Sequence, residues 1–114
     1  MKGRVVALGL AMSATATGSS HASDRLMAYG QHLSQECTAC HRIDGVDNGI
    51  PSIVGLEKGY FTETLGFYKS GMRNNPAMSS VAQSLDDEQI KALSVYFGSL
   101  PPKPAKATSK GSKR

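Results

Sequence analysis

Cys37 and Cys40 stand three positions apart and His41 follows directly, in the run Cys37-Thr38-Ala39-Cys40-His41. On one helical turn, two thiols at this spacing can each add across a vinyl group of haem, and the histidine after them then lies beneath the iron as an axial ligand. The pattern points to a covalently attached haem and to electron transfer at its iron. Plainer readings fit less well. A thioredoxin-like dithiol needs a strand feeding the turn within a βαβ unit, and no alternating or β-branched run stands before Cys37. A structural zinc site needs four ligands, usually from two such pairs, and the chain has two cysteines in all. A disulfide would leave His41 without a role.

A haem held by His41 alone would keep one iron face open to oxygen, peroxide or water, so a second ligand separates a carrier from a catalyst. Met27, Met72, Met78 and His32 are the candidates. Met27 and His32 precede the thiol pair on its own helix, on the side taken by His41. Met72 continues a helical stripe of Phe61, Leu65 and Tyr68 and reads as core. Met78 follows Asn74-Asn75-Pro76-Ala77, an irregular stretch able to set a thioether at a chosen point, and is the expected ligand. A thioether is soft and favours reduced iron, so His/Met ligation raises the potential.

Three helices are expected to position these groups. Between Asp24 and His41, the positions Leu26, Gly30, Leu33 and Cys37 recur at spacings of 4, 3 and 4, with Ser23 as N-cap. Gly30 on this stripe costs about 1 kcal/mol of helix propensity against alanine. Close approach of another helix would explain it, and ordinary tolerance of one glycine is the other reading. Residues 42–59, rich in glycine, read as loop, with Ile50, Ile53 and Val54 laid against the haem edge. Tyr60 to Met72 resumes the helical period, and Gly71 with Asn74-Asn75-Pro76 ends it. Tyr60, Phe61 and Tyr68 read as core. Asp86 with Gln89 forms a capping box, Leu85 and Ile90 a hydrophobic staple, and Ile90, Leu93 and Phe97 the buried stripe of the last helix. Gly98 and Pro101-Pro102 close it. With no strand pattern and no internal repeat, the expected class is all-α.

The start of the chain reads as a secretory signal: Lys2 and Arg4, an apolar run from Val5 to Met12, then Ser20-His21-Ala22. Processing after Ala22 gives a signal of residues 1–22, and Ala14-Thr15-Ala16 is a second possible exit. The run is too short for a bilayer, which takes about 20 residues, so an exported, soluble periplasmic protein is expected. Residues 23–100 form the expected domain, with six basic and nine acidic side chains, formally −3. Residues 101–114 carry Lys103, Lys106, Lys110, Lys113 and Arg114 with no acid and read as a disordered basic tail. The formal charge of +4 for the whole chain thus belongs to its ends, which argues against a nucleic-acid surface. The tail is either a solubilising end or an attachment to an anionic membrane surface or acidic partner. With no tryptophan and few aromatics, the domain is thin for an apolar core of its own. The porphyrin would supply the centre, leaving the apo chain poorly folded.

The haem motif, Pro51, Gly71-Met72-Arg73-Asn74, Met78 and the Leu85-Asp86-Asp87-Glu88 helix start together resemble the class I bacterial cytochromes c. The likeness covers nearly all of residues 24–100 and is greatest to the halves of di-haem cytochromes and to the haem subunit of flavocytochrome c sulfide dehydrogenases. It implies one covalent haem c anchored by Cys37 and Cys40, with His41 and Met78 as the axial pair. It also implies that the Pro51 carbonyl accepts a hydrogen bond from the imidazole and that the Gly30 face crosses the Tyr96-Phe97 end of the last helix. The expected function is single-electron transport between redox proteins, without catalysis. One alternative is a dedicated subunit of a flavin- or molybdenum-dependent oxidoreductase; an open-site, peroxidase-like haem protein is the other.

Overall fold

A computed structural model describes residues 2–6, 9–11, 13 and 18–102. Four helices follow one another among the described residues: α1 Gly18–Thr38, α2 Lys58–Ser70, α3 Pro76–Ser84 and α4 Asp87–Ser99. Among the described residues there is no strand, as the sequence pattern requires of an all-α domain. None of these helices is long and apolar enough to cross a membrane. The basic residues from Lys103 onward lie outside the described residues, as do several of the expected signal segment.

Helices α1 and α4 cross at Gly30. A Cβ there would overlap the Ala92 carbonyl oxygen and lie 2.6 Å from its carbon and 2.8 Å from the Tyr96 Cβ. Of the two readings of Gly30, close approach is therefore the one the geometry supports. Ser34, one turn on, is also buried and returns its hydroxyl to the Gln31 carbonyl at 2.7 Å, so no polar atom is stranded at the crossing. Behind this contact, Phe97 and Leu93 are fully enclosed. Phe97 stacks on Phe61 of α2 at 5.8 Å between centroids and meets Tyr96 edge-on at 5.3 Å.

The capping box of α4 forms as read: Asp86 accepts the Gln89 N–H at 2.8 Å, and the Gln89 side chain accepts the Asp86 N–H at 2.9 Å. Other boundaries differ from expectation. Helix α1 begins ahead of Ser23, which is helical rather than its N-cap. Helix α2 starts two residues early because the Glu57 carboxylate caps the N–H groups of Gly59 and Tyr60, each at 2.8 Å. It stops at Ser70, where Gly71 takes the left-handed conformation at φ 79°. Met72 consequently falls beyond the helix and is 77% exposed, so it is not the core residue the periodicity suggested. Tyr60, 52% exposed, is likewise not core. Leu100 rather than Gly98 caps α4.

The expected irregular stretch around Met78 is instead a fourth helix. Asn75 caps α3, Pro76 opens it, and the Asn75 Oδ1 accepts the Met78 N–H at 3.1 Å. Packing also continues past Leu100, the expected domain end, because Pro102 rests against Gly55.

Candidate functional site

Cys37 lies in the last turn of α1, and its carbonyl accepts hydrogen bonds from beyond the helix end at Thr38. The His41 N–H reaches back to the Cys37 carbonyl at 2.9 Å, and that of Cys40 to the same oxygen at 3.2 Å. Both thiols and the imidazole are thus fixed on a single turn. The following loop, residues 42–57, then folds over the histidine. Its first corner is set by Asp44, which accepts the Val46 N–H and pairs with the exposed Arg42. Farther on, His41 Nδ1 lies 2.7 Å from the Pro51 carbonyl oxygen. A carbonyl only accepts, so Nδ1 carries the proton, and Nε2 is the ring nitrogen with a lone pair to give. His41 is buried, and its Nδ1 is satisfied.

These groups border a cavity of about 400 Å³ between the α1 end, the loop, α2 and α3. Cys37, Cys40, His41 and Pro51 line one part, and Met78 and Ala77 of α3 another. Between them stand apolar walls of Ile53, Leu56, Phe61, Leu65 and Leu93. All five residues singled out from the sequence therefore meet at one cavity. Ile50 and Ile53 also border it, whereas Val54 is buried but faces elsewhere. The other ligand candidates do not reach it. His32 is exposed on α1, Met72 is exposed beyond α2, and Met27 Sδ accepts a 3.5 Å contact from the Ser99 hydroxyl. Tyr60, Tyr68 and Arg73 also line the cavity, and the Arg73 guanidinium lies 5.1 Å from the Tyr68 ring centre. Arg73 entered the sequence reading only within the run Gly71-Met72-Arg73-Asn74; the left-handed Gly71 that ends α2 brings it back over its own helix.

The electrostatics bear on the competing chemistries. Burial, reinforced by the Glu36 carboxylate, pushes the Cys37 thiol up to about 11. Dithiol redox catalysis and zinc binding both need accessible thiolate, which this environment disfavours. Both cysteines are free, and among the described residues no three His, Cys, Asp or Glu side chains gather as a metal site. Two thiols on one turn, an imidazole with one nitrogen satisfied and a thioether, all facing an apolar cavity of ligand size, are the donor set that haem c requires.

No protein-family model matches the chain. Cytochrome c-553 of Helicobacter pylori (strain ATCC 700392 / 26695) is 37% identical over 71 residues, which are 60% of this chain and 74% of that protein. The chain belongs to the c-type cytochromes. This cytochrome is also similar to the thiosulfate dehydrogenase electron acceptor of Thiomonas intermedia (strain K12), at 39% identity over 74 residues, covering 60% of this chain and 34% of the relative. It thus spans about a third of that protein's length. Reduced cytochrome c4 from Pseudomonas stutzeri shares the fold with a TM-score of 0.62 at 30% identity, over 68% of this chain and 50% of that one. Haem c is the cofactor of this family.

Proposed function

We propose that Cys37 and Cys40 hold the haem as thioethers, that His41 and Met78 are its axial ligands, and that Pro51 orients the imidazole. The protein acts as an exported carrier receiving single electrons from a dehydrogenase of a reduced sulfur compound. The meeting of those five residues at one apolar cavity carries the reading. Haem c, when bound, supplies the one-electron iron couple. The chain does the rest. Its Pro51 carbonyl holds the histidine in one tautomer and raises its basicity. Met78, fixed by the Asn75 cap, presents a thioether that favours reduced iron and excludes small ligands. Ligands held by separate rigid elements change little between oxidation states, as fast transfer requires. Residues 1–22 serve as the export signal, residues 23–100 as the cytochrome domain and residues 101–114 as a basic extension.

The donor follows from the thiosulfate dehydrogenase electron acceptor among the relatives. A freely diffusing shuttle is the second reading, favoured by the match to most of a small cytochrome c-553. The two differ in contact lifetime, since transient redox encounters use small interfaces. Purification of the native protein separates them: a stoichiometric catalytic subunit, carrying flavin, molybdenum or haem, supports the dedicated acceptor, and its absence supports the shuttle. The ligand assignment is tested optically. The oxidised protein should show the near-infrared methionine-to-iron band and lose it on Met78→Ala. A wild-type spectrum already high-spin would refute Met78 and favour an open site.

A further inference from the structure

Pro102 lies directly on Gly55. A Cβ on that glycine would fall 2.7 Å from the Pro102 Cβ and 2.8 Å from its Cα and nitrogen. Gly55 takes φ 74°, where L side chains are strained, and its N–H donates to the Phe97 carbonyl at 2.9 Å. One residue past Phe97, a Cβ on Gly98 would meet the Leu56 carbonyl oxygen and the Lys58 Cγ, both at 3.2 Å. The stretch 55–58 is therefore held between the last turn of α4 and the two prolines that leave it. Proline fixes its own φ and extends the residue before it, so Pro101-Pro102 holds a stiff course across the loop.

Pro51, whose carbonyl meets His41, is four residues upstream of the clamped glycine in the same loop. Between them Val54 is buried and its N–H donates to the Ser52 hydroxyl at 3.4 Å, so the short segment carries movement at Gly55 to Pro51. We propose that Pro101 and Pro102 form a strap that positions the Pro51 carbonyl on His41, making the chain's exit from α4 a determinant of the imidazole's donor strength and hence of the iron potential. The inference rests on His41 being an axial ligand. A firm Nδ1–H···O bond makes the imidazole more basic, and a more basic ligand stabilises oxidised iron. Loosening the strap raises the potential. Pro101 and Pro102 are positioning residues and touch no reacting atom.

The test uses the full-length holoprotein with Pro101→Gly/Pro102→Gly, against Lys103→Ser/Lys106→Ser as a change of charge alone. In the glycine variant the Gly55 amide should exchange about tenfold faster, the potential should rise, and the Leu93 amide in α4 should exchange as in wild type. The charge variant should alter none of these. Pro102→Ala, which keeps a Cβ over Gly55, should restore most of the protection. Equal Gly55 exchange and equal potential in the glycine variant and wild type would overturn the strap. So would a charge variant that shifts the potential as far as the glycine pair does. Failure of the axial assignment is visible separately, in the wild-type oxidised spectrum before any variant is made.

Discussion

Replacing Gly30 with alanine sets two large effects against each other, and the crossing of α1 and α4 decides which wins. In an unobstructed helix the change gains about 1 kcal/mol, because glycine loses more backbone freedom on folding. Here the new Cβ would lie 2.6 Å from the Ala92 carbonyl carbon and 2.8 Å from the Tyr96 Cβ, where ordinary contact begins at 3.4 Å. The obstruction is mainly backbone, so no side-chain rotation relieves it, and α4 must retreat by roughly 1 Å. Ala92 and Leu93 are buried to within 1% of full enclosure, so that retreat opens the core behind them. Overpacking of this kind costs about 3 kcal/mol. Set against the propensity gain, the net loss is about 2 kcal/mol, a fall of roughly 10 °C in Tm for a domain of this size. Gly66 in α2 supplies the internal control: it is exposed, and a Cβ there meets nothing within 4 Å. Gly66→Ala should raise Tm by a few degrees. Thermal unfolding of both holoproteins, followed by circular dichroism, gives the two signs directly. A Gly30→Ala protein as stable as wild type would refute the close crossing, whatever Gly66→Ala does.

The two methionines flanking α3's cap should part company. Met72→Gln, at an exposed position, should leave stability within about 0.5 kcal/mol and the near-infrared band intact, whereas Met78→Gln should abolish that band. Acid should weaken the start of α2. The Gly59 and Tyr60 N–H groups hold the Glu57 carboxylate below its ordinary pKa. Its stabilising contribution is therefore present above the unfolded glutamate value, about 4.3, and is lost as the pH falls through the lower folded one. Glu57→Gln should flatten this part of the stability–pH curve, as urea titrations between pH 3 and pH 6 would show. Cys37→Ala/Cys40→Ala, made without bound haem, should lose much of the native far-UV helical signal, and a native-like cooperative melt would contradict this.

What the sequence made legible was local. Asp86 and Gln89 announce the α4 start through a three-residue spacing that needs no tertiary partner, and Cys37, Cys40 and His41 do the same for the attachment turn. Periodicity failed where a single backbone conformation overrode it. The stripe Phe61, Leu65 and Tyr68 extrapolates to Met72, but Gly71 in the left-handed region ends α2 and sends Met72 into solvent. Asn75-Pro76 reads equally as a terminator of α2 and as the cap and first residue of α3. Ala77, Met78, Val81, Ala82 and Leu85 beyond it fit a helical stripe, which was the signal for the second reading. The meeting of Pro102 with Gly55 was not legible at all, since neither residue's type reveals a partner 47 positions away.

The same residues build the core and the site, which explains why so small a domain needs its cofactor. Phe61, Leu65 and Leu93 belong to the buried cluster and also face the cavity. A cavity of about 400 Å³ opens among them, and apolar walls left facing water lose the burial that stabilises an ordinary core. Water entering from the open side would wet the walls that Phe61 and Leu65 supply. Apolar walls and a porphyrin between them therefore stabilise each other. On the proposed assignment, thioether attachment at Cys37 and Cys40 would make the association permanent, so folding would occur around a group that cannot diffuse away. It would also free His41 and Met78, as the proposed ligands, from having to retain the haem. Their geometry could then be set for the potential, the imidazole by the Pro51 carbonyl and the thioether by the Asn75 cap.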